Sequence, residues 1–287
     1  MTGNIVNKNL SALAPANGAN AIVNAAFAIE LDTIAPDPSL LSGFSALAPQ
    51  LAEDGFGPPQ PQQVFMLTVG PQMMTAGQSA AQIGGYLFQK RNSADQPVID
   101  FSLRGNSISA VVHQYTRWHL IWAEVRKLFE RVTPLVVAAQ ARPVRSIALQ
   151  YIDKFTWREE GVQFPIKDVL RSPSVHFAPV ILEKTAPWHS NIGCETECSD
   201  EWAGKRLDNL NMSLAMENGY PALTIFTIYR YFSRVSAKGP ANFVTADMPR
   251  LFEEAHSENK KVLREVLADD VCEKINLNAK GHSNDRN

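Results

Sequence analysis

The sequence predicts an α+β fold: antiparallel sheets in two similar halves, each covered by one long amphipathic helix. Three observations carry it. Short segments with the two-residue period of strands recur through both halves of the chain, an Asn-Gly pair joins two of them as a hairpin, and two stretches switch to three- and four-residue spacing. A helix that follows a meander buries its apolar stripe against a sheet face, so each long helix is expected to cover its own half.

Residues 1–20 are small and polar without a clear period and read as a poorly ordered lead-in. From Val23 to Leu31, Val23, Ala25, Phe27, Ile29 and Leu31 alternate with Asn24, Ala26, Ala28 and Glu30, the pattern of a half-buried strand. Ser39 to Leu51 reads as a short helix with Leu40, Phe44, Leu47 and Leu51 on one side, and the breaker cluster at 55–61 reads as loop. Strands are expected at 64–69, 85–90, 98–103 and 108–113, the later ones separated by turn formers such as Asn92, Asp95, Gly105 and Asn106.

The clearest helix starts after Thr116, its expected N-cap. Trp118, Ile121, Trp122, Val125, Leu128, Phe129 and Val132 share a face, and Pro134 is expected to close it. A long strand follows over 146–155. Weaker strand signals lie at 180–184 and around Ile192, and Leu210, Met212, Leu214 and Met216 alternate strictly up to Asn218-Gly219. The return strand, 222–232, is apolar on both faces in its first half and so central in a sheet. A last helix, capped by Thr245 or Asp247, turns Phe252, Ala255, Val262, Leu263 and Val266 inward, and the polar tail 276–287 frays. The expected organisation is a lead-in to residue 20, one half over 21–140, a second over 141–275, and the tail.

The 287 residues are 45% hydrophobic and 20% charged, a globular composition. Lys and Arg number 27 against 29 Asp and Glu, so the net charge is -2 and no whole-molecule field marks a polyanion binder. The cysteines, Cys194, Cys198 and Cys272, are too few and odd in number for a disulfide framework, which fits a reducing cytoplasm. The N-terminus makes a poor signal peptide and no apolar run approaches the roughly 20 residues of a membrane helix, so a membrane partner is not expected.

Tyr115, Trp118, the long helix and the run Arg145-Ser146-Ile147-Ala148-Leu149-Gln150-Tyr151-Ile152-Asp153 resemble a sporadically distributed family of uncharacterised bacterial proteins. That family pairs a Tyr-x-x-Trp helix start with a strand ending in Arg-Tyr-Ile-Asn or close to it. Phe27 and Ile29 near the start, and Phe252, His256 and 271–275 near the end, also fit. Gln150 and Asp153 stand where the family tends to have Arg and Asn. The resemblance implies a shared fold, a bacterial setting and a neighbourhood of defence or toxin–antitoxin genes; it brings no catalytic residues.

No P-loop, G-x-S-x-G elbow or H-E-x-x-H motif occurs, which argues against the commonest nucleotide-dependent, hydrolase and protease chemistries. No cofactor is expected. His189, Cys194 and Cys198 are the nearest approach to a metal cluster, but on an extended segment the two thiols stand about 13 Å apart at ~3.3 Å per residue, and unremarkable thiols are the alternative. Glu253 and His256 have Glu-x-x-His spacing without a second copy, so a solvated acidic first turn is the simpler reading.

Asp153 shares a strand face with Ile147, Leu149, Tyr151 and Phe155. It is either at the sheet rim, salt-bridged, or buried with a raised pKa, in which case Asp153 and Tyr151 are the candidate catalytic pair with Arg145 close by. Tyr115, Trp118, Arg145, Tyr151 and Asp153 are the candidate binding residues. Arg230 and Arg234 interleave with aromatics and, with Arg142, Arg145, Lys154 and Arg158, make a weaker candidate for nucleic-acid contact. The leading expectation is a non-enzymatic interaction protein with a protein partner, an immunity or defence accessory; the alternatives are an enzyme or small-ligand receptor around Asp153, and nucleic-acid binding.

Overall fold

A computed structural model describes residues 10–32, 38–64, 82–138, 144–185, 187–234 and 246–277. The chain forms α+β architecture around one antiparallel sheet. Its strands are β1 (Leu13–Pro15), β2 (Ile22–Leu31), β3 (Gln60–Val64), β4 (Gln82–Arg91), β5 (Pro97–Arg104), β6 (Ser107–Val112), β7 (Val144–Trp157), β8 (Trp188–Glu197), β9 (Ala203–Glu217) and β10 (Tyr220–Ser233). The order across the sheet is β3-β4-β5-β6-β2-β7-β10-β9-β8, with β1 extending the β2 side of β7. The helices are α1 (Pro38–Ser45), α2 (Ala48–Glu53), α3 (Trp118–Ala138), α4 (Ile166–Val169), α5 (Met248–Val266) and α6 (Asp269–Lys274).

Strand alternation decides which face is buried. Phe27, Ile29, Phe101, Ile108, Ala110, Leu149 and Tyr151 join Trp122, Val125, Phe129, Leu251 and Phe252 of the long helices in one core cluster. Phe155, Leu223, Ile225, Leu210 and Met212 join α4, α6 and the C-terminal part of α5 in a second. Both clusters use the same face of the sheet: along β7, Ile147, Leu149 and Tyr151 of the first and Phe155 and Trp157 of the second belong to one alternation. Phe27 lies at the centre, its ring 5.7 Å from Trp118, 5.8 Å from Trp122 and 5.5 Å from Phe252. Arg206 of β9 pins α5 to the sheet, pairing with Asp208 at 2.8 Å and with Glu254 and Glu258 at 3.6 and 3.5 Å.

Several local expectations are corrected. Pro134 lies inside α3, which runs on to Ala138; its ring removes one ladder bond, while the Thr133 hydroxyl donates to the Phe129 carbonyl at 2.9 Å. Residues 180–184 form a 3-10 helix at Pro179–Glu183, opened by the proline, instead of a strand. The helix expected over 39–51 breaks at Leu47 into α1 and α2. Residues 13–15, read as part of a poorly ordered lead-in, form β1, because the far end of the 14-residue β7 offers them a ladder. Most of the strand expected at 64–69 and the Thr245 cap lie outside the described residues. Asp247 precedes α5 but makes no side-chain cap, pairing with Arg250 instead.

The Asn218-Gly219 turn forms as its chemistry requires, with φ of 50° and 85° at the two residues. It holds β9 and β10 in unbroken register from Tyr220–Glu217 to Phe232–Lys205. β10 is central, between β7 and β9.

Candidate functional site

The register of β7 builds a polar cluster inside the helix-covered face. Tyr151 stands opposite Ala25 of β2 and Thr227 of β10, and Asp153 opposite Ile22 and Ile225. Above them, residues 252, 255, 256, 259 and 263 make the buried stripe of α5, so His256 and Asn259 face the sheet one turn apart. Tyr115 and Trp118 enter from the approach to α3.

These side chains are linked. The Tyr151 hydroxyl lies 2.8 Å from His256 Nδ1, and the Trp118 indole stacks on the His256 ring at 4.0 Å and 6°. Trp118 Nε1 donates to Glu253 Oε2 at 2.7 Å, and Thr227 Oγ1 donates to Asn259 Oδ1 at 2.8 Å. The Tyr115 ring meets Tyr151 edge-on at 6.2 Å. Glu253 is exposed, so the cluster runs from solvent at Trp118 and Glu253 down to Asp153, which is 2% exposed.

Burial dictates the protonation states. Desolvation pushes the Asp153 carboxyl up from 3.8 to about 7. It pulls His256 down from 6.5 to about 3, with the Lys260 charge adding to the effect, so His256 is neutral near pH 7. Both tyrosines are raised above their ordinary range, by burial first; the charge of Asp153 adds to this in both, and in Tyr151 it ranks below Tyr115. The tautomer of the neutral imidazole sets whether Tyr151 or Nδ1 donates in their hydrogen bond, and the second ring nitrogen is Nε2. That nitrogen and Asp153 Oδ2 are both buried without a hydrogen-bond partner. Each unsatisfied group costs about 1–3 kcal/mol, a strain that clusters at functional sites. A carboxyl that titrates near neutrality beside a phenol pair has the properties of a proton acceptor or donor.

The structure therefore brings together Tyr115, Trp118, Tyr151 and Asp153 of the five candidate binding residues. Asp153 is neither at the rim nor salt-bridged among the described residues. Arg145 is apart: it is exposed and eight residues along β7 from Asp153, about 26 Å at ~3.3 Å per residue. Glu253 and His256 do not form a solvated first turn, since His256 is 7% exposed and stacked. Sequence reasoning missed Thr227 and Asn259; the signal for Asn259 is a polar residue in the apolar stripe of α5, three positions after His256.

His189 and Cys194 lie on β8 with side chains on opposite faces, and Cys198 follows its end. Among the described residues no group of three or more His, Cys, Asp or Glu is placed to hold a metal ion. Of the basic residues considered for nucleic acid, three are engaged within the chain, Lys154 with Glu217 at 2.6 Å, Arg230 with Glu30 at 3.2 Å, and Arg234 with the carbonyls of Asp200 and Cys198, while Arg145 and Arg158 are exposed. Arg142 lies outside the described residues. Among those residues no helix is long and apolar enough to cross a membrane.

The opposite face of the sheet is a second feature. Every described helix belongs to the core face, and none lies over the other. Across its centre, Phe226 stands beside Ile152 and Asn211, Ile228 beside Gln150 and Asn209, and Arg230 beside Ala148 and Leu207. Phe226, Ile228 and Ile152 are half-buried. Asn209, beside Ile228, pairs with Asn191 at 3.0 Å, and Ser102 pairs with Ser109 at 2.9 Å farther across the sheet on β5 and β6.

No family model matches the chain, and no curated protein or solved structure matches it either.

Proposed function

We propose that this chain is a non-enzymatic interaction protein that recognises a protein partner across the helix-free face of its sheet, as an immunity or defence accessory of a bacterial cytoplasm. The observation that carries this reading is a sheet face that no described helix covers, with an apolar centre at Phe226, Ile228 and Ile152 beside Asn209, Asn211 and Gln150. Such a surface has the apolar core and polar rim of a recognition patch. The sheet is read as two similar halves meeting where β2 pairs with β7. Each half opens on a strand, passes short helices, returns through a meander whose last strand pairs with the opening one, and ends in a long helix. Joined this way, the halves present one uninterrupted face.

The test is capture with tagged protein from the native host. The parent is expected to recover a stoichiometric partner that the Phe226→Glu, Ile152→Glu double variant loses while remaining folded. Failure to recover a partner, or equal recovery by the variant, overturns the reading.

A second reading, a small-ligand receptor or enzyme at Asp153, is supported by the unpartnered, buried Asp153 oxygen beside Tyr115 and Tyr151. In a metabolite screen by thermal shift, Asp153→Ala is then expected to abolish ligand-dependent stabilisation. Unchanged stabilisation removes Asp153 from the site.

A further inference from the structure

The two edges of the sheet are built differently. β3, at one edge, has five residues, carries Pro61 and shifts register against β4 between Gln62 and Gln63. Short length, proline and a register shift are the devices by which edge strands avoid pairing with another chain. β8, at the other edge, has none of them. Its ten residues pair with β9 from Trp188–Leu214 to Glu197–Lys205 without a shift, and they include no proline, lysine or arginine. Ile192, at the middle of β8, is 36% exposed.

We infer that β8 is a homodimerisation edge on which a second copy of this chain pairs antiparallel, about a two-fold axis at Ile192, joining the two sheets into one. Self-pairing about Ile192 sets Asn191 against Gly193, Ser190 against Cys194, His189 against Glu195 and Trp188 against Thr196 of the other copy. Three features of β8 select this occupant and register. Side chains on the same face meet, since opposed residues are an even number of positions apart. The exposed Ile192 side chains cover each other at the axis. Each Glu195 meets a His189, so opposite polarities pair twice, whereas an axis at Glu195 would set that carboxylate against its own copy and Glu197 against Gly193. The inference does not depend on the partner proposed for the helix-free face; a joined sheet would double the width of that face.

Light scattering on the purified full chain tests it. The parent is expected at twice the monomer mass of 31.7 kDa, and Ile192→Lys, which places two ammonium groups together at the axis, at the monomer mass with an unchanged circular dichroism spectrum. In a Cys194→Ser background, Ile192→Cys is expected to give a disulfide-linked dimer under mild oxidation, with no such product from Cys194→Ser alone. A monomer mass for the parent, a doubled mass that persists in Ile192→Lys, or no cross-link at position 192 overturns the inference.

Discussion

Replacing Asp153 with Asn is expected to flatten the alkaline side of the stability profile. Burial raises the folded-state pKa of Asp153 from 3.8 to about 7. For a group raised on folding, its contribution is intact below the unfolded value and is lost as pH climbs through the folded one. The unfolded chain ionises this carboxyl freely above 3.8, while the folded chain holds it protonated until about 7. The full displacement corresponds to about 4 kcal/mol at alkaline pH, at ~1.36 kcal/mol per tenfold change. Between about pH 5.5 and about pH 8 the loss assignable to Asp153 is about 2 kcal/mol.

His256 acts in the opposite sense, because its pKa falls on folding from 6.5 to about 3. Its contribution is present above 6.5 and is lost as pH falls towards 3. The parent protein alone therefore mixes both slopes, and the difference between parent and variant isolates Asp153. The assay is urea denaturation of both proteins at the two pH values, read by far-UV circular dichroism. Asp153→Asn is expected to gain about 2 kcal/mol relative to the parent on going from the lower to the higher pH. A difference that stays constant within about 0.5 kcal/mol would refute the reasoning, because it would mean that Asp153 ionises as an ordinary solvated carboxyl.

Three further outcomes follow from the same packing. His256→Phe keeps a ring against Trp118 but removes the hydrogen-bond partner of the buried Tyr151 hydroxyl, so denaturation near neutral pH should show a loss of about 1–3 kcal/mol together with a weaker acid-side decline. Phe27→Ala, at 0% exposure between two indoles and Phe252, should cost about 3–5 kcal/mol by the same measurement. Gly85→Ala directs a methyl group into the Leu103 carbonyl of the paired strand, so a loss of about 3 kcal/mol is expected, visible as a lowered melting temperature.

Much of the local structure was legible because side-chain period reports which face a residue occupies. The alternations in β2, β7, β9 and β10, the helical spacing in α3 and α5, and the positive-φ chemistry of Asn218-Gly219 each depend on neighbours a few positions away. The failures have particular causes. Pro134 was read as a stop, yet a helix tolerates the lost bond where its apolar stripe stays packed, as Val132 does at 2% exposure. Residues 13–15 carry no period, and only the overhanging end of β7 makes them a strand.

The sequence by itself determined that this chain is an antiparallel α+β protein and that Asp153 and Tyr151 share one strand face. Depth and company were decided by tertiary structure. Alternation tells inside from outside but not rim from centre, so the burial of Asp153 depended on β2 and β10 flanking β7 and on α5 crossing above it. Tyr151 and His256 meet across 105 intervening positions, a separation over which no local period carries information. The same long-range pairing left β8 at the edge of the sheet among the described strands.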